Sequence, residues 1–284
     1  MNAIIWNVRS VNTKNAFERL VNMQRQQHCQ FIGIMEPMQN PRKLERYTRK
    51  IGFLQAFANV SNKIWVFVDE DHGVDVMINL EQQLTMKLTN MDTQISFIVT
   101  FVYAMCDPIE RIELWDNMYY LARDMTIPWL VAGDFNVIWD EEEKFGGLPV
   151  SINEVNDFRH CVNTCNLTDL GFKGSIFTWW NGRAEDDCIF KRLDRCHANL
   201  EFQHMFPTHP TFKNVVEDNW RVDFVGDPSY MFNQKLKRLK KALSAWSRNT
   251  YGDIFQKIAS LEEVVIVHEA EFERNPTFQR RQRL

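Results

Sequence analysis

Five short apolar runs recur through the first half of the chain: AIIWN at 3–7, FIGIM at 31–35, KIWVFV at 63–68, QISFIVTFVY at 94–103 and WLVAG at 129–133. All are rich in Ile, Val and Phe, as strands buried on both faces are. Helix-period patterns lie between them. From Ala16 to Arg25, one face collects Phe17, Leu20, Val21 and Gln24; from Glu110 to Arg123, another collects Ile112, Trp115, Tyr119 and Ala122. Strands that alternate with helices restrict the chain to the α/β class and predict a layered sandwich with helices outside. A length of 284 residues allows one large α/β domain or two ordinary ones. With 45% hydrophobic and 25% charged residues, the chain can bury a sizeable core, which excludes compositional disorder.

The character changes after about Pro228. The stretch FNQKLKRLKKALSAWSRNTYGDIFQKIASLEEVVIVHEAEFERN contains a single glycine, Gly252, and reads as one or two amphipathic helices. Leu236, Leu239, Leu243 and Trp246 form an apolar stripe flanked by Lys235, Lys237, Arg238, Lys240 and Lys241. Such a helix reads as a packing element with a solvated basic face. A boundary is expected between 222 and 230, followed by a helical tail.

Charge and cysteine content exclude several classes. The formal net charge of −4 gives no overall basic field, so nucleic-acid binding would need a local basic rim or a metal ion. The opening MNAIIWNVRS lacks the long apolar core of a secretory signal, and no run reaches the ~18–20 apolar residues of a membrane span. These features predict an intracellular chain, nuclear or cytoplasmic, with no membrane partner and with cysteines held as thiols. Cys161 and Cys165 lie four apart in a predicted helix, and Cys188 and Cys196 lack paired CxxC spacing, so buried thiols are expected rather than zinc. The acidic run Asp140 to Glu143 reads as a solvated loop, because consecutive carboxylates point in alternate directions.

Four of the apolar runs end in groups able to do chemistry. AIIW ends in Asn7, FIGIM in Glu36, IVTFV in Tyr103, and WLVAG in Asp134 and Asn136. Pro37 stops a regular helix from starting across Glu36. The spacing of two puts the side chains of Asp134 and Asn136 on one side of an extended backbone. In sheets with helical connections, ligands gather at the carboxyl ends of strands. Two carboxylates, two carboxamides and a phenol suit a magnesium-dependent phosphodiester site. Mg2+ takes oxygen ligands, uses one or two protein carboxylates and keeps several waters. A nearby Asp can orient or deprotonate water, while Asn and Tyr donate to phosphate oxygens.

WNVRSVN at 6–12, IMEP around Glu36, VYA at 102–104 and AGDFN at 132–136 resemble, in that order, the endonuclease/exonuclease/phosphatase superfamily. GSIFTWWN at 174–181, KRLDR at 191–195 and the basic helix resemble the endonuclease domain and helical linker of plant non-LTR (LINE-type) retrotransposons. The resemblance implies two packed mixed β-sheets flanked by helices over residues 1–225 and a helical linker over 226–284. It also implies cleavage of DNA with Mg2+, or Mn2+, as cofactor. Glu36 would ligate the metal with Asn7 beside it. Tyr103 would contact the scissile phosphate or leaving group, Asp134 would activate water, Asn136 would hold the phosphate, and Asp194 would orient a catalytic histidine.

The family's Ser-Asp-His motif has no counterpart here. His197, His204 and His209 each lack a preceding Asp, and THPTFKNVVEDNW looks like sequence from beyond that motif. A deletion near 206–208, or a mis-spliced gene, is therefore expected to have removed the histidine loop with adjoining strands, in preference to a rearranged site. Three functions follow: an endonuclease-like domain impaired by that loss, a non-catalytic relic with weak metal or nucleic-acid binding, and, disfavoured by TWWN and the linker helices, a small-molecule phosphatase.

Overall fold

The structure is a computed structural model that describes residues 2–183, 187–199 and 210–221, with part of a helical stretch between 231 and 245. The chain divides into two compact units, Met1–Met205 and Phe206–Leu284.

In the first unit, a four-stranded sheet has the order β1-β2-β4-β3, from β1 (Ala3–Asn7), β2 (Phe31–Met35), β3 (Gln55–Ala58) and β4 (Ile64–Val68). A six-stranded sheet is built from β5 (His72–Asn79), β6 (Gln83–Asn90), β7 (Ser96–Tyr103), β8 (Trp129–Asp134), β10 (Thr168–Asp169) and β13 (Asp194–Ala198). Its order is β10-β13-β8-β7-β6-β5. Both sheets are mixed: β1 runs parallel to β2 and β7 to β8, and the other pairs are antiparallel. Beside them lies a small three-stranded sheet of β9 (Lys144–Phe145), β11 (Trp179–Trp180) and β12 (Phe190–Lys191).

The two large sheets pack face to face. Phe31, Met35, Ile64, Val66 and Val68 of one meet Leu84, Met86, Leu88, Val99 and Phe101 of the other in a buried layer. The approach at Gly33 is so close that a Cβ there would lie 2.4 Å from the Phe101 ring. Helices α1 (Lys14–Gln27) and α2 (Leu44–Ile51) cover the outer face of the four-stranded sheet through Leu20, Ile51, Trp65 and Phe67. Helices α3 (Ile112–Arg123) and α4 (Ile152–Thr164) cover the six-stranded sheet through Trp115, Met118, Phe158 and Val131. The result is the expected α/β sandwich of two mixed sheets between helices.

Two expectations change. On α3 the buried stripe is Leu114, Trp115, Met118 and Leu121, while Ile112 is exposed. Stripes starting at 112 and 114 both satisfy the helical period, and docking on β7 and β8 selects the second. The acidic run is not wholly solvated: Asp140, Glu141 and Glu142 face water in varying degree, but Glu143 is buried. Its carboxylate receives Arg192 Nη1 at 3.0 Å and the short contact of Arg195 Nη2, and both guanidinium groups also pair with Asp169, at 2.8 and 3.1 Å. Two buried cations from the β12–β13 segment therefore draw one acidic side chain inward.

In the second unit, α5 spans Pro210–Trp220 within the THPTFKNVVEDNW block. Along the basic helix, Lys237, Arg238 and Lys241 are exposed and Leu239 is half-buried. Leu236, Lys240, Leu243 and Trp246 of the expected stripe lie outside the described residues, as does everything beyond 246. Among the described residues, no helix is long and apolar enough to cross a membrane.

Candidate active site

Each large sheet delivers its polar strand ends to the same edge of the sandwich. In the six-stranded sheet, Tyr103, Asp134 and Asp194 are register partners in one row, Tyr103 opposite Asp134 across β7–β8 and Asp194 opposite Asp134 across β8–β13. In the four-stranded sheet, Asn7 closes β1 opposite Met35, and Glu36 follows immediately after β2. Two hydrogen bonds join the sheets here. Asn7 Nδ2 donates to Asp134 Oδ2 at 2.7 Å, and the Tyr103 hydroxyl donates to Glu36 Oε1 in a short contact.

The backbone makes these placements possible. Gly133 has φ +144°, and a Cβ at this point would lie 2.0 Å from the Val102 carbonyl oxygen. Only glycine lets β8 press against β7 one residue before Asp134. Two residues later Asn136 adopts φ +50°, the left-handed region that asparagine tolerates, which turns the chain out of the sheet. That turn lets the Asn136 N–H donate to Asp134 Oδ1 at 2.9 Å. The Asn136 side chain donates to the Ala104 carbonyl at 2.6 Å. Glu36 also sits at positive φ, +51°, its N–H held by the Lys63 carbonyl at 2.8 Å.

The electrostatics are those of a crowded acidic centre. Burial pushes the Asp134 carboxyl above the ordinary range, aided by nearby Glu36 and opposed by its hydrogen bonds from Asn136 and Asn7 and by Arg9. Burial likewise raises Asp194, and the charge of Asp134 raises it further, while the Thr178 hydroxyl and Arg9 lower it. Tyr103 is driven above its ordinary value by burial and by its bond to Glu36. Burial thus outweighs the positive charge that Arg9 brings to both aspartates. Asn7 Oδ1 is buried and has no hydrogen-bond partner among the described residues. An oxygen without a donor, next to a carboxylate-rich centre, fits a hard cation better than it fits solvent-free packing. No group of three or more His, Cys, Asp or Glu poised for a metal occurs among the described residues. Mg2+ does not require one, since one or two carboxylates, a carbonyl oxygen and waters satisfy it.

All six residues expected from the sequence thus gather at one place: Asn7, Glu36, Tyr103, Asp134, Asn136 and Asp194. Among the described residues no histidine contacts Asp194. His197 lies three residues along β13 and points to the opposite face, its ring edge-on between Phe135 and Phe158 at 5.2 and 5.8 Å. His204 and His209 lie outside the described residues.

Three contributors escape sequence reasoning. Arg9 bears on both aspartates and lies 5.4 Å from the Trp179 ring centre. Thr178 Oγ1 accepts the N–H groups of Leu193 and Asp194, both at 3.0 Å. Arg111 is fully buried, donates to the Asn136 carbonyl at 2.6 Å and is neutralised by Glu154. Arg9 stands within WNVRSVN and Thr178 within FTWWN, so a motif signal covers both positions; nothing in the sequence marks Arg111.

No protein-family model and no curated protein matches the chain. Solved structures do. The endonuclease domain of TRAS1, a telomere-specific non-LTR retrotransposon, superimposes with a TM-score of 0.52 at 16% identity, covering 70% of this chain and 85% of that one. The AP endonuclease LMAP from Leishmania major gives 0.55 at 13%, covering 70% and 79%. An AP endonuclease from Archaeoglobus fulgidus gives 0.53 at 12%, covering 69% and 86%. Likeness at this level of identity speaks for the fold, and the fold of this chain is that of the endonuclease/exonuclease/phosphatase proteins.

Proposed function

We propose that the first unit is a metal-dependent phosphodiester-cleaving domain of the non-LTR retrotransposon endonuclease kind, acting on DNA inside the cell, and that it cleaves weakly because its catalytic histidine is missing. The observation that carries this reading is the meeting of Asn7 and Glu36 from one sheet with Tyr103, Asp134 and Asp194 from the other, around an unpartnered carboxamide oxygen.

Glu36 and Asn7 Oδ1 are the oxygens that would hold a divalent cation, which when bound supplies positive charge at the scissile phosphate. The remaining groups act on their own account. Asp134, with each carboxylate oxygen fixed by a donor, is aimed to receive a proton from an attacking water. Tyr103 holds Glu36 in place, and its hydroxyl would exchange that bond for one to the phosphate side when substrate binds. Asn136 exchanges its bond to the Ala104 carbonyl for one to a phosphate oxygen.

The loss of strands adjoining the histidine loop is supported by the state of β1. It is an edge of the four-stranded sheet among the described residues, with Ile4, Ile5 and Trp6 only half-buried, whereas β2 and β4 are buried throughout. A cavity of about 220 Å³, walled by Ile5, Asn7, Met35, Thr178, Asp194 and Cys196, opens beside Asp194 on this side. A positioned acid–base group contributes ~10²–10⁴ in rate, and that is the shortfall expected of this chain against an intact relative.

Supercoiled plasmid incubated with Mg2+ tests the proposal. Slow nicking that disappears in Glu36→Ala and Asp134→Ala is expected. No nicking by the wild type at any enzyme concentration, or nicking that persists in both variants, rejects it.

A further inference from the structure

The small sheet beside the site sorts its residues by face. Its register places Trp179 opposite Lys191 and Lys191 opposite Lys144. The neighbouring row is Trp180, Phe190 and Phe145, three aromatic rings whose centres lie 6.3 Å apart in each successive pair. Because side chains alternate across a strand, the two rows lie on opposite faces: one aromatic, the other an indole followed by two lysines.

The lysine row adjoins the candidate active site. Lys191 and Lys144 line a cavity of about 190 Å³ together with Asn136, Leu193 and Ser151. Glu154, the carboxylate of that cavity, is committed to the buried Arg111. At the other end Arg9 extends the row, its guanidinium 5.4 Å from the Trp179 ring centre, with Lys191 Nζ 6.0 Å from the same ring. The indole thus orients two cations through its π face. Among the described residues, Arg9, Lys144 and Lys191 form no ion pair. In a chain of net charge −4, three such cations aligned from the site outward are not a solvated average.

We propose that the row Arg9–Trp179–Lys191–Lys144 is the track that holds the nucleic-acid strand next to the scissile phosphate, Lys191 and Lys144 each taking a backbone phosphate. Strands lie ~4.8 Å apart, so the row runs about 10 Å from β11 to β9, too long for the single phosphate of a small ester and suited to successive phosphates of one strand. The contacts are to phosphate, not to base edges, so the track fixes register without selecting sequence. A second basic groove, between α1 and α2 with Arg25, Lys43, Arg46 and Lys50, lies on the outer face of the other sheet and is the internal comparison.

The inference rests on the phosphodiester reading above but is read out by binding, without cleavage. The full chain is titrated against a labelled DNA duplex across a salt series, by fluorescence anisotropy, beside Lys144→Glu/Lys191→Glu and Lys43→Glu/Lys50→Glu. Both double variants change net charge equally. The track variant is expected to weaken binding and to flatten the plot of log affinity against log salt by about two, roughly one for each phosphate left without its lysine, with the comparison variant near wild type. Should the glutamate pair fail to fold, as judged by its melting temperature, Lys144→Gln/Lys191→Gln gives the same slope. An unchanged slope in the track variant, an equal change in the comparison variant, or no DNA binding by the wild type at low salt overturns the track. A chain that binds as described yet never nicks overturns only the cleavage proposal.

Discussion

Asp134 and Asp194 face each other across β8 and β13, and folding makes both harder to ionise, through burial first, with the charge of Glu36 adding to it at Asp134 and the charge of Asp134 adding to it at Asp194. A carboxyl raised in the folded state binds more protons there than when unfolded. Its contribution is therefore full at acid pH, below the unfolded value, and is lost as pH rises through the folded value. The metal-free protein should lose stability from this pair as pH rises from about 4 toward neutrality. Asp194→Asn should remove part of that slope, with a gain at pH 7.5 on the order of 1 kcal/mol, about 2–4 °C in melting temperature. Thermal melts at several pH values with a chelator present decide it; an Asp194→Asn curve parallel to wild type would sink the idea. His197 works in the opposite direction. Burial depresses it to about 4, and both ring nitrogens lack partners among the described residues. Its contribution is present above the ordinary histidine range and is lost as pH falls toward 4. His197→Leu removes the buried nitrogens, each unmade bond costing about 1–3 kcal/mol, and should move the acid-unfolding midpoint, followed by tryptophan fluorescence, to lower pH.

At the scale of elements, the Glu143 cluster joins what the sequence keeps apart. Glu143 arrives from the loop after β8, Asp169 from β10, Arg192 from the end of the small sheet and Arg195 from β13. Removing one partner of a buried pair leaves the others uncompensated, at about 3–5 kcal/mol. Glu143→Ala should lower the urea midpoint accordingly, whereas Glu142→Ala, an exposed neighbour, should leave it unchanged. Equal effects would mean that local charge, not the cluster, matters. The same cluster shows where the sequence stops being legible. The five apolar runs form β1, β2, β4, β7 and β8; in the last four the Ile, Val and Phe content reflects burial on both faces, whereas β1 is only half-buried. The β5–β6 hairpin has no such signature: HGVDVMIN and QLTMKLTN mix polar and apolar residues, and β5 is exposed at Asp75, Val76, Met77 and Asn79. The site residues are visible because strand ends are local features. Arg111, Thr178 and the inward turn of Glu143 depend on distant partners, which no local pattern encodes.

For the whole molecule, the decisive feature is the edge at β1. A parallel strand at a sheet margin leaves its outer N–H and C=O groups without ladder partners, and here the side chains flanking that margin, Ile4, Ile5 and Trp6, are half-exposed. Natural edges are blunted with charge, proline or a bulge, but β1 reads AIIWN and has none of these. Burying such residues is worth about 25 cal/mol per Å² of apolar surface, so β1, an edge among the described residues, favours any strand that can pair with it, including β1 of a second copy. The purified chain should therefore associate as its concentration rises, and Ala3→Lys, a charge at the exposed start of the strand, should suppress this without lowering the melting temperature. Sedimentation velocity over a concentration series measures it. A wild type that stays monomeric up to high concentration would mean that β1 is already covered by the chain itself, and with it the proposed loss of the adjoining strands would fall.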